Sequence, residues 1–199
     1  MDFTIRSAAK TDCKDIWRLI RNLSGMVLAK NPYLNVWLQK YLRRINLKKE
    51  LAVHENMLQQ VTLSYEEFER DGFGQNPWFE SLVAEVPEEN TSKEGCIIVG
   101  LALYFYTYCT WKGRSVFLED LYVMPEFRGC AIGKGLLSTV AKVAIEQQCV
   151  QMKFNVTDQD IRTRAFYAAK GAQVCSFMDN WHTQHLDAKN LRKLANEAP

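Results

Sequence analysis

Three histidines and six cysteines, none of them in a CxxC pair, leave this 199-residue chain without the spacing of a zinc or dithiol site. The histidines (His54, His182, His185) are scattered, and Cys13, Cys96, Cys109, Cys130, Cys149 and Cys175 read as reduced thiols acting as small hydrophobes. No metal is expected. No run reaches the ~18 apolar residues of a membrane span. The opening MDFTIRSAAKTDCKD lacks a signal-peptide apolar region, so a cytoplasmic protein with no membrane partner is expected. Charge is nearly balanced, 25 Lys+Arg against 23 Asp+Glu, which argues against a nucleic-acid partner. There is no repeat, low-complexity tract or interdomain linker. What is present is ordinary globular material, 47% hydrophobic and 24% charged, enough for one domain spanning 1–199 with a core and a shaped cleft.

The periodicities predict an α/β chain in the order β-α-α-β-β-β-α-β-α-β. FTIR (3–6) reads as a strand. Thr11-Asp12 opens a helix whose apolar stripe is Ile16, Leu19, Ile20 and Leu23. Asn31-Pro32 interrupts, and 36–58 resumes a basic helix with Leu38, Leu42, Ile45 and Leu47 as its stripe. Ser64 and Glu67 form a capping box for a short helix at 65–70. Strands are expected at 81–86, 96–108, 115–124 and 151–156. Helices are expected at about 134–148 and at 161–170, the second closed by Lys170-Gly171. AQVCSF (172–177) starts a last strand that HTQHL (182–186) continues. An antiparallel meander followed by a parallel crossover gives a mixed sheet with flanking helices.

Residues 115–135 carry the chemistry. A strand ending at Val123-Met124-Pro125 runs through Arg128-Gly129-Cys130-Ala131-Ile132-Gly133 into a helix. Such a turn aims backbone N–H groups and a positive helix end at one place, which suits a phosphate. It is neither a Walker loop nor a GxGxxG loop, and spacing alone equally allows an ordinary βα turn. Glu119-Asp120 is an acidic pair inside a run of Val, Phe, Leu and Tyr, readable as a proton acceptor or as a surface pair. By spacing, Tyr167 beside Phe166 is a packing aromatic, and Trp111 and Trp181 are core residues.

The strand-loop-helix resembles the R/Q-x-x-G-x-G/A acetyl-CoA loop of the GNAT N-acetyltransferases. DGFGQNPWFESLVAEVP, YTYCTWKGRSVFLEDLYVMPEFRG, AFYAAKGAQ and the late Trp181 resemble, in order, the spermidine/spermine and thialysine acetyltransferases. TWKGR and YVMPE are closer to the thialysine branch. The resemblance covers about 1–23 and 48–185. It implies a splayed mixed sheet, acetyl-CoA in the splay, and direct acetyl transfer to a small primary amine such as thialysine, a diamine or a polyamine. It implies Glu119 as general base and Tyr167 as the acid that protonates the departing thiolate. The amides of Leu121 and Val123, with Tyr122, and the run Arg128, Gly129, Cys130, Ala131, Ile132, Gly133 and Lys134 would hold the cofactor, with Asp160 nearby. Glu55, Trp111, Asp120, Asp179 and Trp181 would line the amine cleft. A homodimer is implied, with Trp181-His182 near the subunit boundary.

Three departures from that pattern matter. Ala131 replaces the first loop glycine, where a Cβ is costly if φ is positive, and Lys134 could offset a weakened loop. Asp160 stands where the group has Asn. Residues 24–48 look like a basic helical insertion just before Glu55. Cys109 also falls where the spermidine/spermine branch carries an acid, which argues for a less cationic acceptor than a long polyamine. Ala131, Asp160 and the basic insertion together support a rival reading, a catalytically weakened acetyltransferase-like protein that acts as a binding or regulatory partner.

Overall fold

The computed structural model describes residues 1–29, 63–156 and 160–173, together with 190, 192 and 195, the side chains of 24–29 excepted. The helix expected at 36–58, all but the first turns of the 24–48 insertion, the strand expected from 174 onward, Glu55, Asp179 and Trp181 lie outside the described residues. The chain divides into two compact units, Met1–Asn155 and Val156–Pro199.

The first unit is a five-stranded sheet in the order β1-β2-β3-β4-β5. Its strands are β1 (Thr4–Ser7), β2 (Glu80–Glu85), β3 (Ile98–Cys109), β4 (Gly113–Val123) and β5 (Gln151–Phe154). The first four pair antiparallel, and β5 joins β4 in parallel. The helices are α1 (Cys13–Ala29), α2 (Tyr65–Phe73) and α3 (Ile132–Glu146), the last forming the β4–β5 crossover. The mixed sheet with flanking helices is therefore as expected. α1 starts one residue after Asp12, which lies in a short 3-10 turn, and runs to Ala29, past the Leu23 where its apolar stripe ends. α2 extends three residues beyond the expected 70, taking in Asp71-Gly72-Phe73 before Gly74 ends it. The capping box forms: Ser64 Oγ accepts from Glu67 N at 3.1 Å, and Ser64 N donates to Glu67 Oε2 at 2.8 Å.

The core lies on both faces of β3, whose residues 98–104 are all buried. α3 covers one face with Ile132, Leu136, Val140 and Ala144, an i, i+4 stripe. Gly100 allows that approach, since a Cβ there would sit 3.1 Å from side-chain atoms of Ala84, Ile132 and Leu136. α1 supplies Cys13, Ile16 and Leu19 to the same core. Arg6 on β1 ties the edge together, pairing with Asp12 at 2.5 Å and with Glu85 of β2. That guanidinium holds the Asp12 carboxyl below the usual carboxylate range. The second unit contains α4 (Ile161–Ala168), after which Gly171 adopts a φ of 83°, in keeping with the expected glycine stop.

Candidate functional site

The C-terminal half of β4 is where the sheet departs from regular pairing. Leu103 faces Asp120 and Tyr104 faces Leu118, so Glu119 is an extra residue with no partner on β3. This is a β-bulge. Its consequence can be read from the hydrogen bonds on either side. Before the bulge, the Arg114 carbonyl accepts from Val150 N at 2.9 Å, so even-numbered β4 residues face β5. After it, Met124 N donates to the Val99 carbonyl at 2.9 Å, so the even-numbered residues face β3. Alternation then turns the amides of Leu121 and Val123 away from β3. On that outer side, β5 pairs with β4 only as far as Leu118↔Phe154. Among the described residues no strand follows the outward amides of Leu121 and Val123, and the β4–β5 edge opens there.

The loop after β4 points at the same edge. Pro125–Phe127 form a 3-10 turn, and then Gly129 and Ala131 both adopt left-handed backbone, with φ of 82° and 65°. Two such residues around Cys130 gather successive N–H groups into a concave nest. Ala131 is the N-cap of α3 and offers no side-chain cap, so the first-turn amides of α3 are left to an external acceptor. There is no acidic residue in that turn, and Lys134 stands exposed within it. The expected cost of replacing glycine at 131 is thus present, since alanine holds the φ that glycine holds without strain. Arg128 Nε donates to the Val123 carbonyl at 3.0 Å, and its guanidinium sits 5.8 Å above the Tyr122 ring. Tyr122 itself is buried, and alternation turns its amide to β3, so its place is beneath Arg128 rather than at the open edge. Ile132 likewise buries its side chain and offers only backbone, while Cys130 and Gly133 are half-buried.

The two carboxylates at the bulge are not alike. Glu119 is exposed, whereas Asp120 is half-buried. Burial first, and the neighbouring Glu119 second, push the Asp120 carboxyl up to about 6. A carboxyl in that range exchanges its proton near neutral pH. At the other end of β4, Trp111 occupies the tip of the β3–β4 hairpin and is 83% exposed. Asp120 pairs with Leu103 and the hairpin closes at Cys109, so six residues of strand, about 20 Å at ~3.3 Å each, separate Trp111 from Asp120. The structure does not bring these two into one small pocket. Hydrogen bonds from the backbone of Trp111 and then of Lys112 hold the Cys109 thiol below its usual range.

In the second unit, Asp160 is the N-cap of α4, its carboxylate accepting from Thr163 N at 3.2 Å. Aspartate and asparagine serve equally well in that role, and the charge is engaged by the helix end. Tyr167 is buried, in edge contact with Phe166 at 5.2 Å. Burial pushes its hydroxyl up to about 12, so it keeps its proton throughout the neutral range. Among the described residues no group of three His, Cys, Asp or Glu could hold a metal, and no helix is long and apolar enough to cross a membrane. One residue escaped the sequence reading: Arg18 of α1, whose guanidinium reaches the end of β4. Its only local sign is Asp15 three residues earlier, an ordinary helix-surface pairing.

Comparison with known proteins bears on this geometry. The Acetyltransferase (GNAT) family matches residues 49–172. A thialysine N-epsilon-acetyltransferase from Bos taurus is 36% identical over 191 residues, covering 96% of each chain. Its counterpart from Mus musculus is 35% identical over the same coverage. The human spermidine/spermine N(1)-acetyltransferase-like protein 1 is 33% identical over 97% of this chain and 24% of that protein. Among solved structures, AAC(6')-Iy in complex with the bisubstrate analog CoA-S-monomethyl-acetylneamine superposes with a TM-score of 0.56 at 15% identity, covering 93% of this chain and all of that one. At that identity the likeness concerns the fold.

Proposed function

Because this chain belongs to the acetyltransferase (GNAT) family, we propose that it moves the acetyl group of acetyl-CoA directly onto a small primary amine of the thialysine, diamine or polyamine class. The observation that carries the reading is the bulge at Glu119. It sets two carboxylates beside outward backbone N–H groups, at the sheet opening to which the anion-binding nest leads.

The residues fit acetyl-CoA. The nest at 129–132, the uncapped start of α3, Lys134 and Arg128 form a donor set for a pyrophosphate, and the outward amides of Leu121 and Val123 suit a chain that itself carries amides. When bound, acetyl-CoA supplies a thioester carbonyl open to attack by a neutral amine. An alkylamine arrives protonated, with a pKa near ~10, and must lose a proton first. Glu119 takes that proton, and Asp120 holds the cationic end of the amine. The Leu121 and Val123 amides are the donors available where negative charge develops on the carbonyl oxygen. Tyr167, protonated at neutral pH, gives its proton to the leaving sulfur. Glu55, Asp179, Trp181 and Trp111 complete the amine side in the role the resemblance implies. The reading includes one acetyltransferase domain, a homodimer and a cytoplasmic place of action. Asp160 lends no support to a non-catalytic protein, because its carboxylate is engaged in capping α4.

The test is a thiol-release assay with acetyl-CoA against thialysine, lysine, putrescine and spermidine, run with the wild type and with Glu119→Gln. Turnover of at least one amine is expected. The variant should lose about 100-fold in kcat at pH 7.5, with the gap narrowing towards pH 10 as free amine becomes abundant. A pH–rate profile unchanged by Glu119→Gln would remove Glu119 from the base role. No release with any amine, from a protein that binds CoA, would overturn the enzymatic reading.

A further inference from the structure

We propose that Arg18 of α1 is a positioning residue for the cofactor loop, acting through Met124, the residue that leaves β4. The proposal rests on the acetyltransferase reading above. Arg18 Nη2 donates to the Ile98 carbonyl at 2.8 Å and to Asp15 at 3.0 Å. Nη1 reaches the Met124 sulfur at 3.6 Å. One planar guanidinium therefore spans the first residue of β3 and the residue that leaves β4.

Both contact points are places where regular pairing has given out. Ala84 pairs with Gly100 and Glu85 with Ile98, so Val99 is an extra residue on β3, and the Ile98 carbonyl stands beside that irregularity. Met124 donates its amide to Val99 and is buried, but the next residue is proline, which has no N–H to continue the ladder. Beyond that rung, the direction in which the chain enters the loop depends on side chains. Arg18 fixes Met124 from the α1 face. Arg128 returns from the loop to the Val123 carbonyl and stacks over Tyr122. The nest at 129–132 is thereby anchored to β4 through Val123 and Met124, and β4 is anchored to α1 through Arg18. The Arg18 Nε is buried without a hydrogen-bond partner among the described residues, which marks the side chain as held for its two Nη contacts rather than for full satisfaction of its own donors. Lysine cannot reproduce the fork, since a single ammonium cannot span both points in one plane.

Removing the fork should misplace the loop without touching the carboxylates at the bulge. In Arg18→Met, KM for acetyl-CoA is expected to rise about tenfold, the scale of one lost charge-assisted hydrogen bond, while kcat and the amine KM stay within about twofold. Arg18→Lys should fall between the variant and the wild type. CoA binding by calorimetry, which needs no turnover, should weaken in the same order. A lowered melting temperature with an unchanged KM for acetyl-CoA, in either variant, would reduce Arg18 to a packing residue and overturn the proposal. A fall in kcat at constant KM would overturn it as well. A wild type that binds no CoA would instead overturn the acetyltransferase reading on which the proposal stands.

Discussion

At one end of the β3–β4 ladder the chain is interrupted, buried and cross-tied; at the other it is regular, open and aromatic. The first end holds the bulge at Glu119, the half-buried Asp120, and Met124 pinned by Val99 and Arg18. The second holds Tyr108 and Trp111, 74% and 83% exposed, on an even hairpin register from Tyr104↔Leu118 to Cys109↔Gly113. The irregular end has lost ladder hydrogen bonds and gained outward N–H groups, the material of a reaction site. The regular end keeps its ladder and presents exposed aromatic side chains. In the function proposed, acetyl transfer and the Asp120 contact to the amine lie at the first end and the Trp111 contact at the other, about 20 Å away.

That division can be tested from the reactive end outward. After Glu119→Gln, Asp120→Asn should cost the most, about 10- to 100-fold in kcat/KM at pH 7.5, since the cationic amine loses its half-buried counter-charge. The wild type should show an acid limb near pH 6, where the Asp120 carboxyl ionises, and the variant should lack it. Stability moves the other way. A carboxyl whose folded pKa lies above its unfolded value destabilises the fold once it is ionised. That cost is fully present above about pH 6 and gone below about pH 4. Melting curves should therefore show Asp120→Asn more stable than wild type at pH 8 and indistinguishable from it at pH 4. An acid limb that survives the substitution would detach Asp120 from the reaction.

Trp111→Ala should have an intermediate effect confined to the amine. Loss of a cation–π face is expected to raise the amine KM about five- to tenfold and to leave the KM for acetyl-CoA unchanged. If only long amines are affected, Trp111 belongs to a distant subsite of an extended acceptor. If acetyl-CoA is affected too, the two ends are not separate in function. The smallest effect is expected for Ala131→Gly. Relief of a left-handed alanine should add about 0.5–1 kcal/mol of stability and tighten CoA two- to fivefold, read by melting temperature and calorimetry. A loss of stability would mean that the extra unfolded-state freedom of glycine outweighs the relieved strain.

Much of this was legible in local sequence because its causes are local. The capping box at Ser64 and Glu67, the stripe Ile16, Leu19, Ile20 and Leu23, and the glycine stop at 171 each depend on residues within a few positions of one another. The loop 128–133 was legible for the same reason, and so was the concern over Ala131, whose left-handed φ is set only in the folded chain. Arg18 was not legible, because its partners Ile98 and Met124 lie 80 and 106 residues away. Nor did the motif blocks reveal that Trp111 and Asp120 stand a hairpin's length apart.

The amino-acid sequence by itself determined the identity and order of the strands and helices of the sheet unit, and the presence of an acidic pair ahead of an anion-binding loop. Periodicity, capping and turn chemistry act over one or two turns of chain. Only the tertiary structure decided that Glu119 is the residue left out of register. A bulge is a property of two strands at once. Where β4 gains a residue depends on how β3 and β5 must both be satisfied. That choice reverses which β4 amides face the open edge, and with them the place where acetyl transfer occurs in the function proposed.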